Sequence, residues 1–106
     1  MLDREHLREL TDGDAEFERE LLGCYKDSAR NILADLRASL SAGDPAGIAR
    51  EAHALKGASL SIGATSMAQC AAEIEIAARA GDARRASEKL DDEERALWMA
   101  LDVLRS

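Results

Sequence analysis

The triplet Gly43-Asp44-Pro45, echoed by Gly81-Asp82, constrains the fold of this chain more than any other feature. Glycine closes a helix, aspartate caps the next one, and proline suits its first position. Breaks this short leave no room for long crossovers, so helices adjacent in sequence must run antiparallel side by side. Before the first break, Leu22, Tyr25, Ala29, Ile32, Leu36 and Leu40 advance by threes and fours, flanked by Phe17, Leu21 and Leu33. That stripe predicts one helix from about Ala15 to Ala42, roughly 40 Å long at 1.5 Å per residue, with the Tyr25 hydroxyl at the rim of the core.

The same reading places the remaining helices. A second runs from Pro45 to Gly63. A third is capped by Thr65 or Ser66, with Ser66 and Gln69 spaced as a capping box; it buries Met67, Ala71, Ile74 and Ala78 and has Cys70 at its border. The last carries Ala86, Leu90, Leu97, Leu101 and Leu104 inward, beside Trp98 and Met99. Ahead of them all, Asp3 caps a short helix that turns Leu7 and Leu10 inward, and Thr11-Asp12-Gly13-Asp14 breaks it, with Asp12 or Asp14 as the next cap. The expectation is an all-α, antiparallel up-down-up-down four-helix bundle with a short additional N-terminal helix, residues 1–106 forming one domain. Scarce aromatic residues and a single proline agree with it.

The second long helix has two unlike faces. At 100° per residue, Ile48, Leu55 and Ile62 fall within about 40° of the direction opposite His53. If they meet the core, His53 meets solvent, with Lys56, Gly57 and Leu60 within about 60° of it around the axis. Gly57 is the sharpest clue, because glycine inside a helix costs roughly 0.8–1.0 kcal/mol relative to alanine. It lies on the His53 side, so a tightly packed neighbouring helix does not explain it. A bare patch one turn from an exposed imidazole suits the close approach of another molecule.

His53-Ala54-Leu55-Lys56-Gly57-Ala58-Ser59, followed by Gly63-Ala64, resembles the signature of histidine phosphotransfer (HPt) domains of bacterial and fungal phosphorelays. The pattern His-x-x-Lys-Gly-x-Ser with a glycine ten residues after the histidine is far more specific than a lone histidine. The likeness extends, as an order of helices and turns, from about Asp14 to Leu104. It implies a bundle whose histidine carries a phosphoryl group between aspartates of receiver domains. The implied partners are response-regulator receiver domains and a hybrid sensor histidine kinase. The resemblance also assigns Mg2+ and the acceptor aspartate to the receiver, with no cofactor bound by this chain.

Elementary chemistry is compatible with that role. A neutral imidazole nitrogen is a competent nucleophile near neutral pH. Phosphoryl transfer asks mainly for in-line access and charge neutralisation. Lys56 offers a mobile positive charge, and no carboxylate within its own helix competes for it. Gly57 leaves room for a partner loop, Leu60 supplies apolar contact, and Gln69 on the following helix faces the groove, with Glu73 one turn beyond it on the same face. Ser59 points coreward, its hydroxyl expected to bond a backbone carbonyl one turn earlier, and Gly63 serves the site structurally. The glycines are scattered singly, so no phosphate-cradling loop equips the chain as an autonomous kinase.

The net charge of −7 argues against nucleic acid and anionic membranes as partners. Against an acidic receiver it predicts weak long-range attraction and docking through local apolar contact. No apolar run reaches the roughly 18–20 residues that span a bilayer, and Met1-Leu2-Asp3-Arg4-Glu5 lacks the layout of a secretory signal. Cys24 and Cys70, too few for a disulfide framework, read as small core or boundary residues of a monomeric cytoplasmic protein. Two other readings stand beside the relay: a docking bundle that is never phosphorylated, and a metal-binding bundle using His6, His53, Cys24 and Cys70. The last has no histidine pair at i,i+4 and no ligand spacing to support it, and His6, lacking the lysine-glycine context, reads as an ordinary surface histidine.

Overall fold

The described residues form five helices: α1 (Arg4–Thr11), α2 (Ala15–Ser41), α3 (Pro45–Ser61), α4 (Thr65–Arg79) and α5 (Ala83–Arg105). This computed structural model describes the backbone of residues 3–105 and the side chains of residues 3–92, 94 and 95. The α5 residues Leu97, Leu101, Leu104, Trp98 and Met99, singled out above, lie outside the described side chains. In sequence order α2, α3, α4 and α5 pack as successive neighbours of an antiparallel four-helix bundle about 43 Å long, α5 returning against α2, and α1 rests on α2. None of the described helices is long and apolar enough to cross a membrane.

Turn chemistry sets the helix ends. Asp44 accepts a hydrogen bond from the Gly47 amide at 3.1 Å, Pro45 opens α3, and Gly43 reverses the chain at φ +64°. Asp82 repeats the cap on α5, accepting from the Arg85 amide at 3.0 Å. Of the two candidates for the α2 cap, Asp14 takes the role, accepting from the Glu16 and Phe17 amides. Asp12 instead closes α1 in the left-handed region at φ 52°. Asp3 caps α1 through the His6 amide.

Two boundaries differ from the sequence reading. Helix α3 stops at Ser61, two residues short of Gly63. Helix α4 starts at Thr65 with Ala64 in the cap position and no side-chain cap bond there, so Ser66 lies inside the first turn and Gln69 in the second, out of register for a capping box. The cause is the Ile62-Gly63-Ala64 turn, in which the Ala64 amide bonds Ser59 O and the Ala64 carbonyl already accepts from Ala68.

The core is lined by Tyr25, Ala29, Leu33 and Leu36 of α2, Ile48, Ala52 and Leu55 of α3, Ala71 and Ile74 of α4, and Ala86 and Leu90 of α5. Leu33 thus belongs to the stripe, whereas Ile32 only flanks it and Phe17 is exposed. On α1, Leu7 and Thr11, one turn apart, take the inner face; that leaves Leu10 turned outward and exposed rather than buried. Cys24 is an exposed free thiol, not a core residue, and Cys70 is half-buried. The most extensive helix contact joins α3 to α4, and it is built from small residues. Ala49, Ala52, Ala71, Ala77 and Ala78 are all buried, which lets the two backbones come close and brings side chains at the edge of the seam within reach of one another.

Candidate functional site

Ile48, Leu55 and Ile62 are buried, and their burial fixes the roll of α3. His53 therefore stands on the outer face with 65% of its side chain exposed. Beside it, Gly57 has open space where a side chain would project: nothing approaches within 4 Å of the position its Cβ would take. Leu60, one turn further, is 54% exposed. These three residues share a surface, opposite the buried seven-residue stripe of Ile48, Leu55 and Ile62. Gln69 is exposed on α4. By helix geometry it lies about 120° around that axis from the side chain that does reach the histidine, so it is not part of the cluster at His53.

That side chain is Glu75, which the sequence reading passed over in favour of Glu73. Glu73 turns the other way and pairs with Lys89 of α5 at 2.9 Å. Glu75 lies at the α3–α4 seam with only 11% of its side chain exposed. Its Oε1 is 3.3 Å from His53 Nδ1 and 3.5 Å from Lys56 Nζ. Its Oε2 accepts from both Arg79 Nε at 3.2 Å and Nη2 at 2.9 Å, so two charge-assisted bonds anchor that one oxygen. Lys56 consequently has a carboxylate partner, contributed by α4 rather than by its own helix. The Arg79 guanidinium is the main reason the Glu75 carboxyl titrates below the ordinary carboxylate range; burial opposes this, and His53 and Lys56 reinforce it. A signal for Glu75 existed in the sequence: it is a charge set between Ala71 and Ala78 on an otherwise apolar helix face, with an arginine four residues on.

A groove runs from His53 toward the start of α3, floored by Pro45, Ala46, Ala49 and Ala78 and flanked by Arg50 and Arg79. Arg50, Lys56 and Arg79 stand around the imidazole, Lys56 and Arg79 paired with Glu75 and Arg50 with Glu51 at 3.7 Å.

Ser59 and Gly63 hold the site from behind. The buried Ser59 hydroxyl lies 2.7 Å from the Tyr25 hydroxyl, tying α3 to α2. A bond to the carbonyl one turn earlier was expected of Ser59; Ser61 makes that bond instead, to Gly57 O at 2.9 Å. The Tyr25 hydroxyl accordingly lies inside the bundle rather than at its rim. Gly63 adopts φ +80°, and a Cβ there would come within 3.1 Å of Asp3 and His6. Its carbonyl accepts from the Asp3 amide at 2.7 Å, and the His6 ring meets Ser61 O at 3.1 Å, so α1 is pinned over the end of α3. His6 is therefore a docking residue of α1 and not a free surface histidine. Among the described residues, no three His, Cys, Asp or Glu side chains gather as a metal site.

Comparison with known proteins agrees with the fold and with the motif. The Hpt domain family model matches residues 20–106. Among solved structures, the chain is similar to histidine-containing phosphotransfer protein B (HptB) from Pseudomonas aeruginosa PAO1, at 29% identity and a TM-score of 0.90, covering 98% of this chain and 90% of that one. No curated protein sequence matches it significantly.

Proposed function

Because the chain belongs to the Hpt domain family, we propose that it is a phosphorelay intermediate in which His53 accepts a phosphoryl group from the aspartate of a receiver domain and passes it to another. The observation that carries this reading is the outward His53 beside the vacant flank of Gly57. An exposed imidazole offers in-line access, and a missing side chain lets a partner's active-site loop descend to the ring. Lys56 has 32% of its side chain exposed and can turn its ammonium from Glu75 to incoming phosphoryl oxygens. Leu60 supplies apolar contact area at the rim. Gln69 remains a candidate contact for a partner that reaches across α4.

In this reading the chain is a carrier and not a kinase. Mg2+ belongs to the receiver, which also supplies the aspartate, and the first phosphoryl group comes from a hybrid sensor kinase. The cytoplasm is where such partners meet it. Incubation with a phosphorylated receiver should label the chain with acid-labile phosphate, while ATP alone leaves it unlabelled. His53→Gln should fold normally and stay unlabelled. Equal labelling of His53→Gln and the unsubstituted chain would reject the assignment, and equal receiver binding by both with no phosphate on either would favour a docking bundle.

A further inference from the structure

The groove between His53 and the start of α3 is the part of this face that Gly57 and Leu60 do not account for. We propose that it is the half of the receiver-docking surface that selects the partner: it takes a segment of the receiver in which an aliphatic side chain is flanked by carboxylates. The alanine-lined floor holds the aliphatic group, and Arg50 and Arg79 pair with the acids on either side. The inference rests on the reading of His53 as phosphoacceptor and adds which receivers the chain accepts and where it tells them apart.

Three observations lead to it, and the first is extent. Ala46 and Leu60 each stand seven residues from His53, one toward the start of α3 and one toward its end, and both are exposed. Seven residues return a side chain to within about 20° of its direction and carry it about 10 Å along the axis, so both lie on the outward line of His53. A standard-size protein contact buries about 800 Å² on each partner, a patch roughly 28 Å across. Centred on the reacting imidazole, such a patch reaches about 14 Å each way and covers the groove as fully as the notch at Gly57.

The second observation is shape. The groove encloses about 600 Å³ over a floor of Pro45, Ala46, Ala49 and Ala78, short apolar side chains between two long arginines. A recessed apolar floor of that kind receives an aliphatic side chain and excludes water from around it. The third is charge. Arg50 and Arg79 line the groove, and no carboxylate lines it among the described residues. Glu75 lies below, sunk in the α3–α4 seam and engaged by Arg79, Lys56 and His53. Glu51 meets Arg50 at 3.7 Å, beyond hydrogen-bond distance, an exposed contact of little strength. Both guanidinium groups can therefore donate to carboxylates arriving from outside. In a chain of net charge −7, an acidic partner is repelled from most approaches and is accepted where arginines meet it first.

The test uses the intact chain and every receiver domain of the same organism, each charged with phosphoramidate and then freed of it. Receivers that label the wild-type chain are taken forward, and single-turnover transfer is followed as receiver concentration and salt are varied. In Arg50→Glu the half-saturating receiver concentration should rise about tenfold at low salt, with the maximal rate within about twofold of wild type. That difference should largely vanish in about 1 M salt, where the Debye length is about 3 Å, and Arg50→Lys should restore most of the loss. Ala46→Phe fills the groove from an exposed position and should raise the half-saturating concentration about tenfold at either salt. Arg95→Glu makes the same charge change on α5, diagonal to α3, and should transfer as wild type. Phosphoramidate then loads each variant without a receiver, and that rate should fall far less than receiver transfer does. Wild-type half-saturation in either Arg50→Glu or Ala46→Phe overturns the proposal and leaves His53 as the carrier. So does an equal loss in Arg95→Glu, or a loss of phosphoramidate loading as large as that of receiver transfer. If no receiver labels the wild-type chain, the relay reading falls and the role of the groove falls with it.

Discussion

Replacing Gly57 with alanine should make the protein more stable and less competent. Gly57 lies inside α3 with no atom within 4 Å of the position its Cβ would occupy, so the added methyl meets only solvent and its own helix. The helix-propensity difference then acts unopposed, at about 0.8–1.0 kcal/mol in favour of alanine. For a chain of this size that corresponds to a rise in Tm of roughly 4–8 °C. The same methyl occupies the flank through which a receiver would reach His53. Overfilling a close-packed contact costs about 1–3 kcal/mol, so phosphotransfer from a charged receiver should fall about 5- to 150-fold, and Gly57→Leu should lose more. Gly23 in α2 provides the control. It too has open space at its Cβ position, so Gly23→Ala should raise Tm comparably and leave transfer unchanged. Thermal unfolding by circular dichroism and single-turnover transfer measure the two quantities on the same samples. A Gly57→Ala variant with unchanged or lowered Tm would refute the open-flank geometry. A Gly57→Leu variant that transfers at the wild-type rate would refute the role given to the gap.

Three further outcomes follow from particular contacts. Tyr25→Phe removes the partner of the buried Ser59 hydroxyl and should cost about 1 kcal/mol in urea unfolding; no change would mean the 2.7 Å contact contributes nothing net. The Glu75 carboxyl titrates below its ordinary 4.5 in the folded chain, so its stabilising effect is complete above that value and is lost as pH falls through the lower folded-state value. Unfolding free energy measured from pH 6 downward should therefore drop on acidification, and less steeply in Glu75→Gln; superimposable curves would count against the ion-pair cluster. Leu60→Ala, at a position 54% exposed, should leave Tm within about 1–2 °C of wild type while weakening receiver affinity by about 1–2 kcal/mol, as titration calorimetry would report. Undiminished affinity there would place the docking surface elsewhere.

Periodicity and turn residues made most of the fold legible. The bundle, the roll of α3 and the caps Asp3, Asp44 and Asp82 follow from local chemistry, because apolar spacing and Gly-Asp punctuation are written within a few residues. Choices that depend on neighbours in space were less accessible. Nothing in the α1 sequence says that Leu7 and Thr11, rather than Leu10, meet the bundle; that depends on how α1 rests over Gly63. The Ser59 hydroxyl finds a tyrosine 34 residues away, a pairing a helical wheel does not contain. At the site, His53, Lys56 and Gly57 share one helix and could be placed together from their spacing. Glu75 comes from the next helix, and choosing it over Glu73 requires the roll of α4, which its many alanines leave weakly marked. Arg79 likewise reaches this face only once α3 and α4 are packed, whereas Arg50 lies one turn before His53 on α3 itself.

The central claim is that an outward imidazole on α3 carries the phosphoryl group, and locating that group tests it most directly. After exposure to a phosphorylated receiver, the chain would be digested at alkaline pH, where phosphohistidine survives, and its peptides fragmented by electron transfer in a mass spectrometer. Phosphate on His53, and on His53 alone, is the predicted result. Phosphate on His6 or on any carboxylate or hydroxyl, with His53 unmodified, would contradict it.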